Sequence, residues 1–202
     1  MKIGPMIFSA DMVQSILVGR KTQTRRIIKP QPKCKRVVME YGFLKEYSMR
    51  GSCWNEIAKH RPLFQPEDII WAREVWTDIS IVDFSRSGYV YKADCYNPFI
   101  FRWKSPMCMP KAAARIFLRV TDVGVEKIRD ISINDCIAEG IIPVHGMRSE
   151  IKNWFSELWD SLNAKRGYGW DKNPWVWKIV FERTKKPKGW PERGNKNGQD
   201  DK

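Results

Sequence analysis

The chain has 202 residues, 43% of them hydrophobic, which is enough for a real core, and a formal net charge of +13 at pH 7. No apolar run approaches the ~20 residues needed to cross a bilayer, and Met1-Lys2-Ile3-Gly4-Pro5 lacks the apolar stretch of a signal peptide, so a cytoplasmic protein without a membrane span is expected. The five cysteines are scattered, none in a CxxC pair, and the histidines are His60 and His145 alone, so no clustered ligand set suggests a metal or other cofactor.

Six basic and three acidic residues lie from Thr184 onward, so most of the positive charge belongs to the rest of the chain. That balance favours a polyanionic partner, and the ten tryptophans offer ring faces on which bases stack. Met6 to Phe8 reads as a first strand. Ser9 to Val18 follows as a short helix with Met12, Val13, Ile16 and Leu17 on one face. Gly19 suits a left-handed helix stop, and Thr22, Thr24, Ile27 and Ile28 favour an extended strand beyond it. Alternation places Thr22, Thr24 and Arg26 on one side of that strand, with Gln23 and Arg25 on the other; it does not fix which way Lys21 points.

From Met12 to Met39 there is no acidic residue, while Arg20, Lys21, Arg25, Arg26, Lys29, Lys33, Lys35 and Arg36 are basic. Such a block repels itself unless an anion, usually phosphate, neutralises it. Crowded cations also favour the neutral amine of a lysine among them. An ordinary lysine titrates near ~10.4 and must shift by about three units to serve as a base near neutrality. Thr22 or Thr24 is the kind of hydroxyl that such a base activates.

Lys29 to Pro66 is irregular and rich in proline and glycine, with a hairpin expected between Val37-Val38-Met39 and Tyr41 to Leu44. Its Tyr41, Phe43, Tyr47 and Trp54 either cover a binding face or form a small peripheral core. Pro66-Glu67-Asp68 is a turn into a strand from Ile69 to Trp76. On that strand Trp71 and Arg73 share a face opposite Glu74 and Trp76. Arg73 and Glu74 read either as the rim of a pocket or as members of cross-strand ion pairs. Tyr89 to Ala93 and Arg115 to Val123 are further strands, the latter extended by Val125 to Ile128. Ser132 caps a helix that Gly140 ends, which leaves Glu139 in the last turn, against the helix dipole. Ser149 to Lys165 is the strongest helix, with Ile151, Trp154, Phe155, Leu158, Trp159 and Leu162 as one apolar stripe. Trp175 to Phe181 is a closing strand, and residues 184–202 read as a disordered basic tail.

Several of these segments share a resemblance. Gly19-Arg20-Lys21-Thr22-Gln23-Thr24-Arg25-Arg26 is similar to the opening motif of the ASCH domain family, in the PUA-like superfamily, and most like its larger phage and prophage members. Glu67 to Glu74 resembles the family's Gly-Asp-x-Leu-Trp-Val-Arg-Glu segment, with Glu67 where glycine is usual. Ala138-Glu139-Gly140 and Asn173-Pro174-Trp175-Val176-Trp177 resemble two further markers. The resemblance implies an α+β fold, a PUA-like, mixed but mostly antiparallel β-barrel with flanking helices. It implies one domain over residues 1–183, with an insertion at about 29–66.

It also implies two functional readings. In the first, the protein is an amidohydrolase that deacylates 4-acetylcytidine and related N-acylated cytosines. Lys21 is then the base, Thr24 the nucleophile and Glu139 the orienting or protonating acid, with Arg26 holding the substrate or the oxyanion. In the second, it is an RNA- or modified-base-binding module, or a ribonuclease. Lys21, Arg25, Arg26 and Arg73 then meet phosphate, Trp71 stacks a base, and Thr22 lines the same cleft. RNA or a nucleoside is the ligand class in both, without metal or cofactor.

Overall fold

The computed structural model describes residues 1–33, 36–50, 53–79, 88–95, 101–142 and 150–192. Their elements run β1 (Ile3–Ile7), α1 (Ala10–Leu17), β2 (Gln23–Ile27), β3 (Arg36–Glu40), β4 (Phe43–Arg50), β5 (Cys53–His60), β6 (Ile69–Arg73), β7 (Trp76–Asp78), β8 (Tyr89–Tyr91), β9 (Phe117–Lys127), α2 (Ile133–Ala138), α3 (Ile151–Asn163) and β10 (Trp175–Thr184). The protein is α+β, and its paired strands are mostly antiparallel. A β-barrel was expected; among the described residues no sheet closes on itself. No described helix is long and apolar enough to cross a membrane. The chain divides into two compact units.

The first unit comprises Met1–Lys2, Ser15–Ile69 and Arg119–Glu182. Here β10 lies between β9 and β2 and pairs antiparallel with β2, Trp177 opposite Arg26 and Ile179 opposite Thr24. One core cluster joins Ile128, Ile131 and Cys136 to Ile151, Phe155 and Trp159 of α3 and to Val176 of β10. The α3 stripe thus forms as its spacing predicts, except that Leu162 at its far end is 48% exposed. Helix α2 begins at the expected cap, where the Ser132 hydroxyl accepts from the Asp135 backbone N–H at 3.1 Å. The segment expected as an insertion holds more than a hairpin: β3, β4 and β5 make an antiparallel three-stranded sheet. Its first turn has positive φ at both Tyr41 (50°) and Gly42 (75°), the pattern that matches strand twist in a tight hairpin. Trp54 has no described side chain.

The second unit comprises Ile3–Gln14, Ile70–Leu118 and the chain from Arg183. There β1 lies beside β6 and β6 beside the start of β9, with Ala72 N–H donating to the Ile116 carbonyl at 3.0 Å. The strand expected from Ile69 to Trp76 is two strands. It breaks at Glu74–Val75, where the Glu74 N–H turns to Met109 Sδ at 3.4 Å, and Trp76 starts a separate pairing with Tyr91 of β8. β10 continues to Thr184, and Trp190 donates its indole N–H to the Lys111 carbonyl at 2.7 Å while meeting Phe117 and Trp71 edge-on, 5.1 and 5.6 Å between centroids. Residues 193–202 lie outside the described residues.

Candidate active site around Lys21 and Glu139

The site is assembled where two helix ends meet within the first unit. α1 stops at Gly19 (φ 75°), and the Ser15 carbonyl then accepts from the backbone N–H of both Arg20 (2.9 Å) and Lys21 (3.0 Å). The next residue, Thr22, donates its N–H to the Ala138 carbonyl at 2.8 Å, which ties this turn to the end of α2. Gly140 closes α2 at φ 105°. A Cβ there would stand 3.1 Å from Ser15 Cβ and 3.2 Å from Ser15 Oγ, so the close approach of the two ends needs glycine for space as well as conformation.

This packing drives Lys21 inward. Its side chain has no exposed surface, and its Nζ donates to Glu139 Oε2 at 2.6 Å and to the Glu139 backbone carbonyl at 2.7 Å. Arg25 approaches the same carboxylate, Nη1 to Glu139 Oε1 at 3.1 Å, and pairs through Nε with Glu126 at 2.6 Å. Its Nη2 lies 3.6 Å from Asp135, which also accepts from Lys178 at 2.9 Å. The acids missing from residues 12–39 are therefore supplied by β9 and α2. The phosphate that the basic block alone calls for is not needed to neutralise Lys21 and Arg25.

Burial depresses the pKa of Lys21; the Glu139 carboxylate works against that shift, and the charges of Arg26 and Arg25 add to it. Arg26 is depressed by burial in the same way, with Glu139 opposing and Arg166 reinforcing. For Asp135, burial works against ionisation. Hydrogen bonds from Lys178, Ser132 and Gln23, with the Arg25 charge, outweigh it and bring the pKa down to about 2.

Of the residues named from sequence, Lys21, Arg25 and Glu139 come together directly. Thr24 is buried on β2, opposite Ile179, and strand alternation sets it on the other face from Arg25. Among the described residues no hydrogen bond joins its hydroxyl to Lys21 or Glu139. Arg26 is half-buried and Thr22 is exposed. Trp71 and Arg73 belong to the second unit. Trp71 is 1% exposed, with the Arg73 guanidinium 4.7 Å from its ring centroid, so the ring offers no open face to a base. Glu74 takes the ion-pair option, accepting from Arg115 at 2.8 and 2.9 Å. Sequence reasoning missed Glu126, Asp135 and Ser15 as parts of the site. The first two carry no local signal, and Ser15 acts through its backbone carbonyl.

No family model matches the sequence, and no curated protein does. Among solved structures, the chain is similar to a DUF984 protein from Enterococcus faecalis, at 12% identity over 91% of this chain and 80% of that one, with a TM-score of 0.43. It is also similar to an ASCH domain from Lactobacillus crispatus, at 13% identity over 90% of this chain and 79% of that one, with a TM-score of 0.38.

Proposed function

We propose that the protein removes acyl groups from N-acylated cytosine nucleosides, with the Lys21–Glu139 pair as its proton-transfer centre. The substrate class rests on the resemblance of residues 19–26 and 138–140 to the ASCH motifs. The chemistry rests on one observation, an ammonium and a carboxylate 2.6 Å apart in a water-poor setting that depresses the lysine pKa. As the neutral amine, Lys21 takes the proton of the attacking hydroxyl, which the resemblance assigns to Thr24 and which a local opening must bring to Lys21 from the other face of β2. The hydroxyl oxygen bonds to the acyl carbon, and the cytosine amine leaves with the proton. Water then cleaves the acyl ester, returning the threonine and a carboxylic acid. Glu139 orients the Lys21 amine and balances its charge when protonated. Arg26, which lies in the field of Glu139, offers fixed positive charge to the developing oxyanion.

The Lys21 side chain has no exposed surface, so substrate reaches it only as a covering group moves, and this reading couples binding to a local opening. A module that grips phosphate through Lys21 and Arg25 is disfavoured by the carboxylates already paired with both. The test is release of cytidine from 4-acetylcytidine, followed by chromatography. Wild type is expected to turn over. Lys21→Ala and Glu139→Gln should each lose roughly 100-fold or more. Thr24→Val should lose as much if its hydroxyl is the nucleophile. An inert wild type that binds RNA in a salt-sensitive manner would overturn catalysis and leave the binding module.

A further inference from the structure

The sheet β3–β4–β5 has two unlike faces. Register and alternation turn Leu44, Glu46 and His60 to a buried face, where His60 Nε2 lies 2.5 Å from Glu46 Oε1. The opposite face carries Phe43, Lys45, Tyr47 and Lys59. Lys45 and Lys59 stand directly across from one another, a like-charge pairing that disfavours the sheet unless an anion relieves it. Lys45 is met by Glu40 at 3.1 Å and Glu56 at 2.9 Å. Among the described residues no carboxylate lies within ion-pair distance of Lys59; it is exposed, and its ammonium sits 3.8 Å from the Phe43 ring centroid.

At the tip of the first hairpin, Tyr41 is 93% exposed with φ 50°. That turn position ordinarily takes Asn, Asp or Gly, because a residue with a bulky side chain is strained there. The ring gains almost no burial in exchange; Lys45 Nζ lies 5.9 Å from its centroid, at the outer limit of a cation–π contact, and strain held at an exposed tip points to a ligand for the ring's open face. Residues 29–66 carry eight basic residues against three acidic ones, and one of those acids, Glu46, is turned to the buried face.

We propose that this outer face binds single-stranded nucleic acid, with Tyr41 stacking on a base and Lys59 meeting a phosphate. Ring faces presented beside lysines suit unpaired bases, whose flat surfaces are open; in a duplex those surfaces are taken up by neighbouring bases. The proposal goes beyond the chemistry assigned to Lys21 and stands or falls apart from it.

Fluorescence anisotropy of the full chain with a labelled uridine 20-mer, and with a duplex of equal length, tests it. Wild type should prefer the single strand. Tyr41→Ala should weaken binding roughly tenfold, Tyr41→Trp should restore it, and Lys59→Gln should reduce the slope of log affinity on log salt by about 0.7. Tyr41→Gly relieves the left-handed strain, so loss of binding without a fall in melting temperature assigns the effect to the ring. Tyr41→Ala should leave any turnover of free 4-acetylcytidine unchanged, which separates this surface from the Lys21 centre. Unaltered affinity in Tyr41→Ala would overturn the proposal. So would equal binding of the duplex, or equally effective competition by polyglutamate.

Discussion

Lys21 donates to both the carboxylate and the backbone carbonyl of Glu139, a residue 118 positions further along the chain. The pair is asymmetric. Glu139 retains a cation in Arg25 when Lys21 is removed, whereas among the described residues Glu139 is the one carboxylate within ion-pair distance of Lys21. Glu139→Ala should therefore destabilise by the ~3–5 kcal/mol typical of a stranded buried charge, and Lys21→Met by clearly less. Urea midpoints measure both, and equal losses would show that Arg25 does not compensate.

Gly140 and Gly19 separate strain from crowding. Both have positive φ, but a Cβ at Gly19 meets nothing within 4 Å, whereas one at Gly140 meets Ser15 at 3.1 Å. Gly19→Ala should cost about 1–2 kcal/mol from conformation alone. Gly140→Ala should cost more, and it should also slow any turnover, because Ser15 holds the Lys21 backbone in place. Matching melting temperatures for the two variants would contradict the close approach.

Asp135 sets an acid limit on stability. Its folded pKa of about 2 lies below the ordinary ~3.9, so the folded state binds this proton less readily than the unfolded chain does. The resulting stabilisation, up to about 2 kcal/mol, is fully present above pH ~4 and is lost as pH falls towards 2. The advantage of wild type over Asp135→Asn in urea melts should shrink across that window. An advantage that stays constant from pH 5 to 2 would remove the charge-based account.

Glu67 occupies a left-handed position (φ 71°), where the resembling family motif has glycine. Its ion pair with Arg119, at 3.2 Å, is solvent-exposed and contributes little to stability. Glu67→Gly should thus be about 1 kcal/mol more stable than Glu67→Ala, because both lose the carboxylate and only glycine relieves the strain. Thermal melts of the two variants decide it; alanine equal to glycine would show the turn is unstrained.

Local pattern was enough to place α1, the Ser132 cap, α3 and the closing strand, because a helical or alternating stripe is written in neighbouring residues. The motif from Gly19 to Arg26 likewise announced a helix stop and a basic strand. It could not say where Lys21 points, since that depends on the Ser15 carbonyl and on a glycine 119 residues further along. Nor could it balance its own charge. An acid-free run calls for an anion, but Coulomb attraction acts through space, and folding α2 and β9 into the same unit as β2 brings Glu126, Asp135 and Glu139 to the cations. The break at Glu74 and the docking of Trp190 were hidden for the same reason, because each is settled by partners remote in sequence. Sequence alone determined most of the helices and strands, whose patterns are local, and tertiary contact decided which charges are already satisfied and which face outward.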